Sequence, residues 1–315
     1  MARIRGLVGA AVVVGLCAAG PAQASASTQS SEFQLNCSTA AAHPEPLRGI
    51  CNYLQRREGV VQVALFNRKT HKTYLLSNGS DIQYTASIVK ADVLAMWLRH
   101  YEHHGTSIPA QIPYSIKYLM ERMIEASDNA AATGLFYFPG GCGALTKFNK
   151  LIPLKQTEVG CESPTYYGWG NTTTTAADQA ALMKVFAYGK PRGVLGDDAR
   201  AYGLHLMESV QPDQRFGITC GPWGHSCEGP NYAQPVPGIT VALKNGWKTL
   251  PTCTQPIAKC PWQVNSTGWV QGGGRDYVLT VLTTDDPVGT GDLFGFQYGI
   301  QTIQGISKLV WRNLK

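Results

Sequence analysis

Strand-like patterns lie near both ends of the chain. Residues 59–66 and 72–76 are short runs rich in β-branched and apolar side chains, and the polar turn between them predicts a hairpin. The same pattern returns late in the sequence at 238–245, 263–271 and 276–284, with polar or glycine-rich turns between the runs. We therefore expect strands to come from both chain ends.

The middle of the chain has the period of helices instead. Apolar residues recur at helical spacing from residue 87 to 101, and Asn171 with the four threonines that follow it is typical of a helix start, here for 176–188. The final segment, 296–314, has isoleucines and a valine at helical spacing. Helices are therefore expected between the two groups of strands and at the C-terminus.

The order of these elements predicts the fold class. Residues 59–84 and 238–315 supply one antiparallel sheet flanked by helices, and residues 87–235 form an all-α lobe inserted between its second and third strands. We expect a mixed α and β fold in a single domain that covers residues 47–315.

The N-terminus has the pattern of a secretory signal peptide over residues 1–26. Arg3 and Arg5 precede an apolar run of about a dozen residues, and small residues follow at the expected cleavage site. Because that run is too short for a comfortable membrane span, we expect a secreted protein without a membrane anchor. Residues 27–46, rich in Ser, Ala and Pro, are predicted to be a flexible lead-in.

Charge and composition narrow the choice of partners. The net charge is +6, and loss of Arg3 and Arg5 with the signal peptide leaves 6 − 2 = +4 without a long basic run, which argues against nucleic acid as a partner. With 44% hydrophobic and 15% charged residues, the chain has an ordinary globular composition. We expect a monomer.

The cysteines predict a disulfide framework. Nine are present, and eight remain when Cys17 is removed with the signal peptide. An even number in an exported chain favours disulfides, although eight cysteines allow 105 pairings. Because they fall in neighbouring twos, we predict the bridges Cys37–Cys51, Cys142–Cys161, Cys220–Cys227 and Cys253–Cys260. No two have the spacing of a zinc knuckle, so neither a metal nor another cofactor is expected.

Ser87 and Lys90 stand three residues apart at the predicted start of the first long helix. That spacing puts both side chains on one face, so the Lys90 amine can reach the Ser87 hydroxyl. A serine hydroxyl needs a base to become a good nucleophile, and a lysine made less basic by burial or by a nearby positive charge is such a base. The unpaired N–H groups of the helix start are suited to a developing oxyanion. The pair therefore predicts nucleophilic catalysis.

Two further motifs make this prediction specific. Ser127-Asp128-Asn129 follows a helical segment, and Lys244-Asn245-Gly246 ends an extended run. Together with Ser87-Ile-Val-Lys90, they resemble the S-x-x-K, S-D-N and K-T-G signatures of the penicillin-recognising serine enzymes, most closely the class A β-lactamases. The resemblance runs from about residue 59 to the C-terminus and implies a β-lactamase/transpeptidase-like fold.

The resemblance also implies a role for each residue. Ser87 would be the acylated nucleophile, Lys90 its proton acceptor, and Ser127 the group that passes a proton to the leaving nitrogen. The substrate, a small molecule or a cell-wall peptide, would be bound by Asn129, Lys244, Asn245, Gly246 and Trp247. Separately from the resemblance, Arg275 at the turn into the last predicted strand is either a guanidinium that binds a substrate carboxylate beside Lys244 or a turn residue in solvent. The backbone N–H of Trp247 would join that of Ser87 as an oxyanion donor.

Hydrolysis of the acyl-enzyme requires an activated water. Class A β-lactamases use a glutamate before the threonine-rich helix start, and Glu158 lies 171 − 158 = 13 residues before Asn171. Glu158 is therefore the candidate base, and Glu162, which stands four positions later where the family has asparagine, is a second candidate; alternatively, both are solvated loop charges. Asn245 replaces the hydroxyl residue of the third motif.

Several functions therefore stay open. With an active base, the protein would be a class A β-lactamase-like hydrolase. Without such a base the acyl-enzyme would linger, and the protein would act as a D-Ala-D-Ala carboxypeptidase, a penicillin-binding enzyme or a slow esterase. A further alternative is an inactive member of the family that binds cell-wall peptide or another protein.

Other catalytic patterns are weaker. The chain has no G-x-S-x-G motif for a serine, histidine and aspartate triad. His100, His103 and His104 have helical spacing but not the H-E-x-x-H order of metalloproteases, which favours a solvated helix end.

Overall fold

The fold is built around a six-stranded sheet. A computed structural model describes residues 33–35, 37, 47–79, 82–161, 167–224, 227, 233–250, 253–256, 259–288 and 295–314, so the predicted signal peptide lies outside the described residues. The strands are β1 (Phe33–Leu35), β2 (Val60–Asn67), β3 (Lys72–Ser77), β4 (Gln83–Tyr84), β5 (Thr173–Thr174), β6 (Ile239–Thr249), β7 (Trp262–Gly272) and β8 (Arg275–Asp286). The helices are α1 (Leu47–Leu54), α2 (Val89–His103), α3 (Tyr114–Glu125), α4 (Asn129–Tyr137), α5 (Gly141–Asn149), α6 (Ala176–Tyr188), α7 (Asp197–Glu208) and α8 (Gly295–Asn313).

The sheet joins strands from both ends of the chain. Its order is β1-β3-β2-β8-β7-β6, so β6 is an edge strand. All neighbours are antiparallel except β1 and β3, which are parallel. Helices α2 to α7 lie between β3 and β6 in the chain. The short strands β4, before α2, and β5, between α5 and α6, pair in a two-stranded sheet of their own. The predicted class, a mixed fold with an antiparallel sheet and an inserted helical lobe, is confirmed.

Alternate residues of β2 face two different cores. Val61, Val63 and Leu65 pack in one core with apolar residues of α1 and α8. Ala64 points the other way and packs with the helical lobe. This two-residue period is that of a strand covered on both faces. The sheet therefore separates the terminal helices from the lobe.

Helix α2 is the centre of the lobe. Ten consecutive residues, from Val89 to Leu98, are buried, which is the pattern of a helix surrounded on all sides. Helices α3, α4, α5 and α7 pack against it. Because α2 begins directly after the turn Ala86–Ile88, the predicted nucleophile Ser87 stands at the buried end of this helix.

The predicted flexible lead-in contains a short strand and a disulfide. Residues Phe33–Leu35 within it form β1, paired with residues 74–76 of β3, and Cys37 is bonded to Cys51 of α1. A strand of three residues was too short for its pattern to stand out. The remainder of 27–46 lies outside the described residues.

The four predicted disulfides are present. They join Cys37 to Cys51, Cys142 to Cys161, Cys220 to Cys227 and Cys253 to Cys260, with Cα–Cα distances of 5.1, 5.2, 5.8 and 5.7 Å. Such a set is typical of an extracellular protein. Within the described ranges, no helix has the length and apolar character needed to cross a membrane.

The close packing of α7 on α6 gives a test of the fold. A Cβ added at Gly203 of α7 would lie 2.5 Å from the Phe186 ring of α6. We expect Gly203→Ala to lower the free energy of unfolding by about 1–3 kcal/mol, because the two helices must separate. In the control Gly143→Ala, on α5, the added Cβ meets no atom within 4 Å. That variant should gain up to about 1 kcal/mol from helix propensity. Equal effects of the two variants in equilibrium urea unfolding would contradict the described packing.

Candidate active site

Ser87 lies on a tight turn between the sheet and the lobe. It is the middle residue of a 3₁₀ turn, Ala86–Ile88, that leads directly into α2. Ala86 has φ of +47°, a left-handed conformation that costs energy for a residue with a side chain. Strained backbone of this kind clusters at functional sites, and Ser127 and Tyr167, with φ of +55° and +49°, are further cases near this turn.

Gly246 brings the edge strand against this turn. A Cβ at Gly246 would lie 2.5 Å from the backbone nitrogen of Ser87 and 2.8 Å from that of Ile88. Any side chain there would push β6 away from the start of α2. Glycine is therefore required by the close approach of the two backbones. This steric requirement explains the glycine at the third position of the Lys244-Asn245-Gly246 motif.

Lys90 is fully buried one turn after Ser87. Its side chain is 0% exposed. The amine Nζ donates to the Ser127 carbonyl at 2.5 Å, to Asn129 Oδ1 at 2.7 Å and to Ser127 Oγ at 3.2 Å. The first two motifs of the sequence thus meet through one amine.

Lys244 reaches the same hydroxyl from the opposite wall. Its side chain is 1% exposed, and Nζ donates to Ser127 Oγ at 2.9 Å and to the Asn245 carbonyl at 3.0 Å. The Ser127 hydroxyl therefore lies between two buried amines, one from α2 and one from β6. A hydroxyl can accept from one amine and donate to the other, so it can carry a proton across the site.

Burial makes both lysines weak bases. It is the main cause that lowers the pKa of Lys90 to about 6; the nearby Lys244 lowers it further, whereas Asp128 opposes the shift. Burial likewise lowers the pKa of Lys244 to about 7, against the opposing charge of Asp213. An amine with a pKa of about 6 is largely neutral at pH 7, so it can accept a proton.

Asp128 is turned toward the helix start that it caps. Its carboxylate accepts the N–H of Ala131 at 2.9 Å and pairs with Arg122 at 2.9 Å. The hydrogen bond from Ala131 is the main cause that lowers the pKa of Asp128. The carboxylate therefore stays charged and fixes the start of α4, which carries Asn129.

The alternation of β6 corrects the predicted role of Asn245. Lys244 and Gly246 face the lobe, whereas Leu243 belongs to the core on the opposite face of the sheet. The Asn245 side chain points to the same face as Leu243, since its Nδ2 donates to the carbonyls of Gln214 at 2.8 Å and Phe216 at 3.2 Å. The amide that was predicted to meet a substrate carboxylate instead ties the 212–217 segment to the edge strand.

Trp247 stands at the rim of the site on β6. Its side chain is 37% exposed and meets the Phe216 ring edge to face, with the ring centroids 5.3 Å apart. Its backbone follows Gly246 directly, on the strand that touches the Ser87 turn. The predicted oxyanion donors, the N–H groups of Ser87 and Trp247, thus belong to adjoining segments.

Glu158 lies on a segment that pairs with β5. Its side chain is exposed, and its backbone pairs with Thr173, with N···O distances of 3.0 and 2.9 Å. The ring of Trp169 instead lies beside Lys90, with the centroid 4.9 Å from Nζ. Glu162, the second candidate, lies outside the described residues.

Trp169 is the neighbour of Lys90 that sequence reasoning missed. The sequence shows only a bulky aromatic residue between Gly168 and Gly170, in a segment predicted to be an irregular loop. Nothing in the sequence indicates that this loop folds back onto α2.

Arg275 lies away from the cluster, which corrects its predicted role. It pairs with Gly272 at the β7–β8 turn, five residues along the ladder from the level of Lys244. Its guanidinium packs over the Trp311 ring of α8 at 4.1 Å and donates to the Gly273 carbonyl. Since α8 covers the face opposite the lobe, Arg275 fixes the terminal helix and does not line the site.

Among the described residues, no three His, Cys, Asp or Glu side chains are grouped so that they could hold a metal ion.

The geometry agrees with the comparisons to known proteins. The model of the Beta-lactamase enzyme family matches residues 102–314, about two thirds of the chain. The chain therefore belongs to the Beta-lactamase enzyme family, a membership that supports a serine hydrolase. No curated protein sequence matches it.

Solved structures share the fold at low sequence identity. PBP-A is 18% identical, with 89% of this chain and 97% of that chain covered and a TM-score of 0.62. A class A β-lactamase from Bacteroides cellulosilyticus is 16% identical, with 84% and 95% covered and a TM-score of 0.64. A mutant of PBP-A, 19% identical with 84% and 94% covered and a TM-score of 0.61, was solved as an acyl-enzyme complex with penicillin G.

The low pKa of Lys90 gives a test by protein stability. Between pH 6 and 10.5 the unfolded chain binds more protons at this lysine than the folded one, so the free energy of unfolding should rise with pH. The rise is at most about 1.4 kcal/mol per pH unit. We expect Lys90→Met to lose this contribution and to show a flatter dependence between pH 7 and 9 in urea unfolding. The exposed control Lys72→Met should keep the wild-type slope, and an unchanged slope in Lys90→Met would refute the assignment.

Proposed function

We propose that the protein is a secreted serine hydrolase that opens β-lactams or related cell-wall amides through an acyl-Ser87 intermediate. The observation that carries this proposal is the Ser127 hydroxyl held between the buried amines of Lys90 and Lys244. Binding alone would not need a nucleophile with two matched amines. Secretion is supported by the signal-like N-terminus and by four disulfides.

In the proposed scheme, acylation proceeds with three proton transfers. Neutral Lys90 takes the proton of the Ser87 hydroxyl while Oγ attacks the carbonyl carbon, and the oxyanion meets the N–H groups of Ser87 and Trp247. The carbon–nitrogen bond then breaks, and the leaving nitrogen takes a proton from Ser127 Oγ. Ser127 is reprotonated by Lys90, which returns to its neutral form.

Lys244 has two effects in this scheme. Its charge disfavours a proton on Lys90, which keeps that base neutral. When charged, it also attracts a substrate carboxylate to the edge strand, whereas Arg275 is too distant to share that task. Asn129, at the start of α4, would contact the acyl side chain of the substrate, and its Oδ1 accepts a hydrogen bond from Lys90.

Covalent labelling tests the nucleophile. We expect a fluorescent penicillin to label the wild type and the exposed control Ser115→Ala, whereas Ser87→Ala should lose labelling altogether. Labelling that persists in Ser87→Ala would show that another residue is acylated. A folded wild type without any label would favour the alternative of a binding-only member or a substrate outside the β-lactams.

A specific observation favours the slow-deacylation alternative. The position beside Lys90 is occupied by the Trp169 ring, and the Glu158 side chain is exposed on a strand-like segment. Activation of water needs a base close to the ester. The protein is then a penicillin-binding enzyme or D-Ala-D-Ala carboxypeptidase whose acyl-enzyme persists with a β-lactam.

The lifetime of the acyl-enzyme separates the two alternatives. We expect intact mass spectrometry after mixing with a penicillin to show an adduct that persists over minutes, with the same decay rate in Glu158→Gln. Rapid turnover in the wild type that Glu158→Gln abolishes would contradict this and would make the protein a β-lactamase with Glu158 as its deacylation base.

A further inference from the structure

Trp169 is held rigidly beside Lys90. It belongs to the 3₁₀ turn Gly168–Asn171 and is only 3% exposed. The indole Nε1 donates to Thr133 Oγ1 at 3.2 Å, and the Thr133 hydroxyl donates to the Asn129 carbonyl at 2.8 Å. The ring is thus fixed to α4, the helix whose first residue also holds Lys90.

The backbone around Trp169 is equally constrained. A Cβ at Gly160 would lie 2.2 Å from the Gly168 carbonyl, and a Cβ at Gly170 would be 4.0 Å from the Cα of Ala86. The 168–171 turn is therefore packed between residue 160 and the turn that carries Ser87. Rotation of the indole away from Lys90 would need a concerted shift of these segments.

The indole has two opposite effects on Lys90. Its face attracts an ammonium group, which favours the protonated amine. Its bulk also excludes water, which disfavours that charge. Lys244 and Asp128 are the charged groups that face Lys90, and their effects oppose each other. Burial is the largest cause of the lowered pKa of Lys90, and the indole beside Nζ contributes to that burial.

We propose that Trp169 is a positioning residue that seals the pocket of Lys90 and the acyl-Ser87 ester from water. The inference rests on the proposed acyl-Ser87 intermediate. A sealed pocket keeps Lys90 competent as a base during acylation. It also slows attack of water on the ester, the step in which water adds to the carbonyl carbon and Ser87 leaves with a proton.

Replacement of the indole should separate these effects from simple loss of stability. Trp169→Ala opens the pocket, so the pH midpoint of acylation should rise by about one unit or more as Lys90 is rehydrated. The acyl-enzyme should also decay faster, on the order of tenfold. Trp169→Phe keeps an apolar ring and should restore wild-type behaviour in both respects.

Trp97→Ala is the matched control. Trp97 is also buried, and its Nε1 donates to the Leu135 carbonyl of the same helix α4 at 2.7 Å. It should lose comparable stability without a shift in the acylation midpoint. An equal shift in Trp97→Ala, or an unchanged midpoint and lifetime in Trp169→Ala, would overturn the inference.

A readout without substrate distinguishes this inference from the proposed function. The Lys90 amine can be titrated by NMR in protein labelled with ¹³C-lysine. Its midpoint should rise in Trp169→Ala but not in Trp169→Phe or Trp97→Ala. If no acyl-enzyme forms in the wild type, the proposed function fails, and this titration still decides whether Trp169 seals Lys90. An unchanged titration in Trp169→Ala refutes that part directly.

Discussion

The site depends on the burial of two amines around one hydroxyl. Lys90 and Lys244 are both removed from water, and both amines lie within hydrogen-bond distance of Ser127 Oγ, at 3.2 and 2.9 Å. Dehydration of a charged amine is costly, and two charged amines in contact would repel each other. The fold tolerates this arrangement because it allows the amines to be neutral. Because the same burial lowers the pKa of Lys90 to about 6, its amine can accept a proton near neutral pH.

Rigid elements on both sides maintain the arrangement. Lys90 projects from a helix that is buried on all faces, and Lys244 projects from an edge strand paired with β7 along its length. Gly246 lets the two elements touch, since any side chain there would collide with the Ser87 turn. The left-handed backbone at Ala86 and Ser127 adds strain that the surrounding packing must balance. The backbone is therefore locally strained at Ser127 and beside Ser87, the residues that the proposed chemistry uses.

Local spacing in the sequence was sufficient for part of the site. The three motifs predicted elements that meet, since Lys90 bonds to Ser127 and Asn129, and Lys244 bonds to Ser127. The two-residue period of β6 also contained information that was not used: Val241 and Leu243 are apolar, so Asn245 had to share their face and turn away from Lys244. The position of the Arg275 side chain could not be predicted for another reason. Only the packing of α8 reveals that its guanidinium lies over the Trp311 ring. Trp169 lies in a loop whose path depends on contacts distant in sequence, and spacing cannot predict such contacts.

The most direct test is the titration of Lys90 in the wild-type protein. In a sample labelled with ¹³C-lysine, the Cε resonance of Lys90, assigned by its absence from Lys90→Met, follows the protonation of Nζ. The buried two-amine site predicts a midpoint near pH 6. A midpoint close to the ordinary lysine value of 10.5 would mean that the amine is charged at neutral pH, and it would contradict the account of Lys90 as the base.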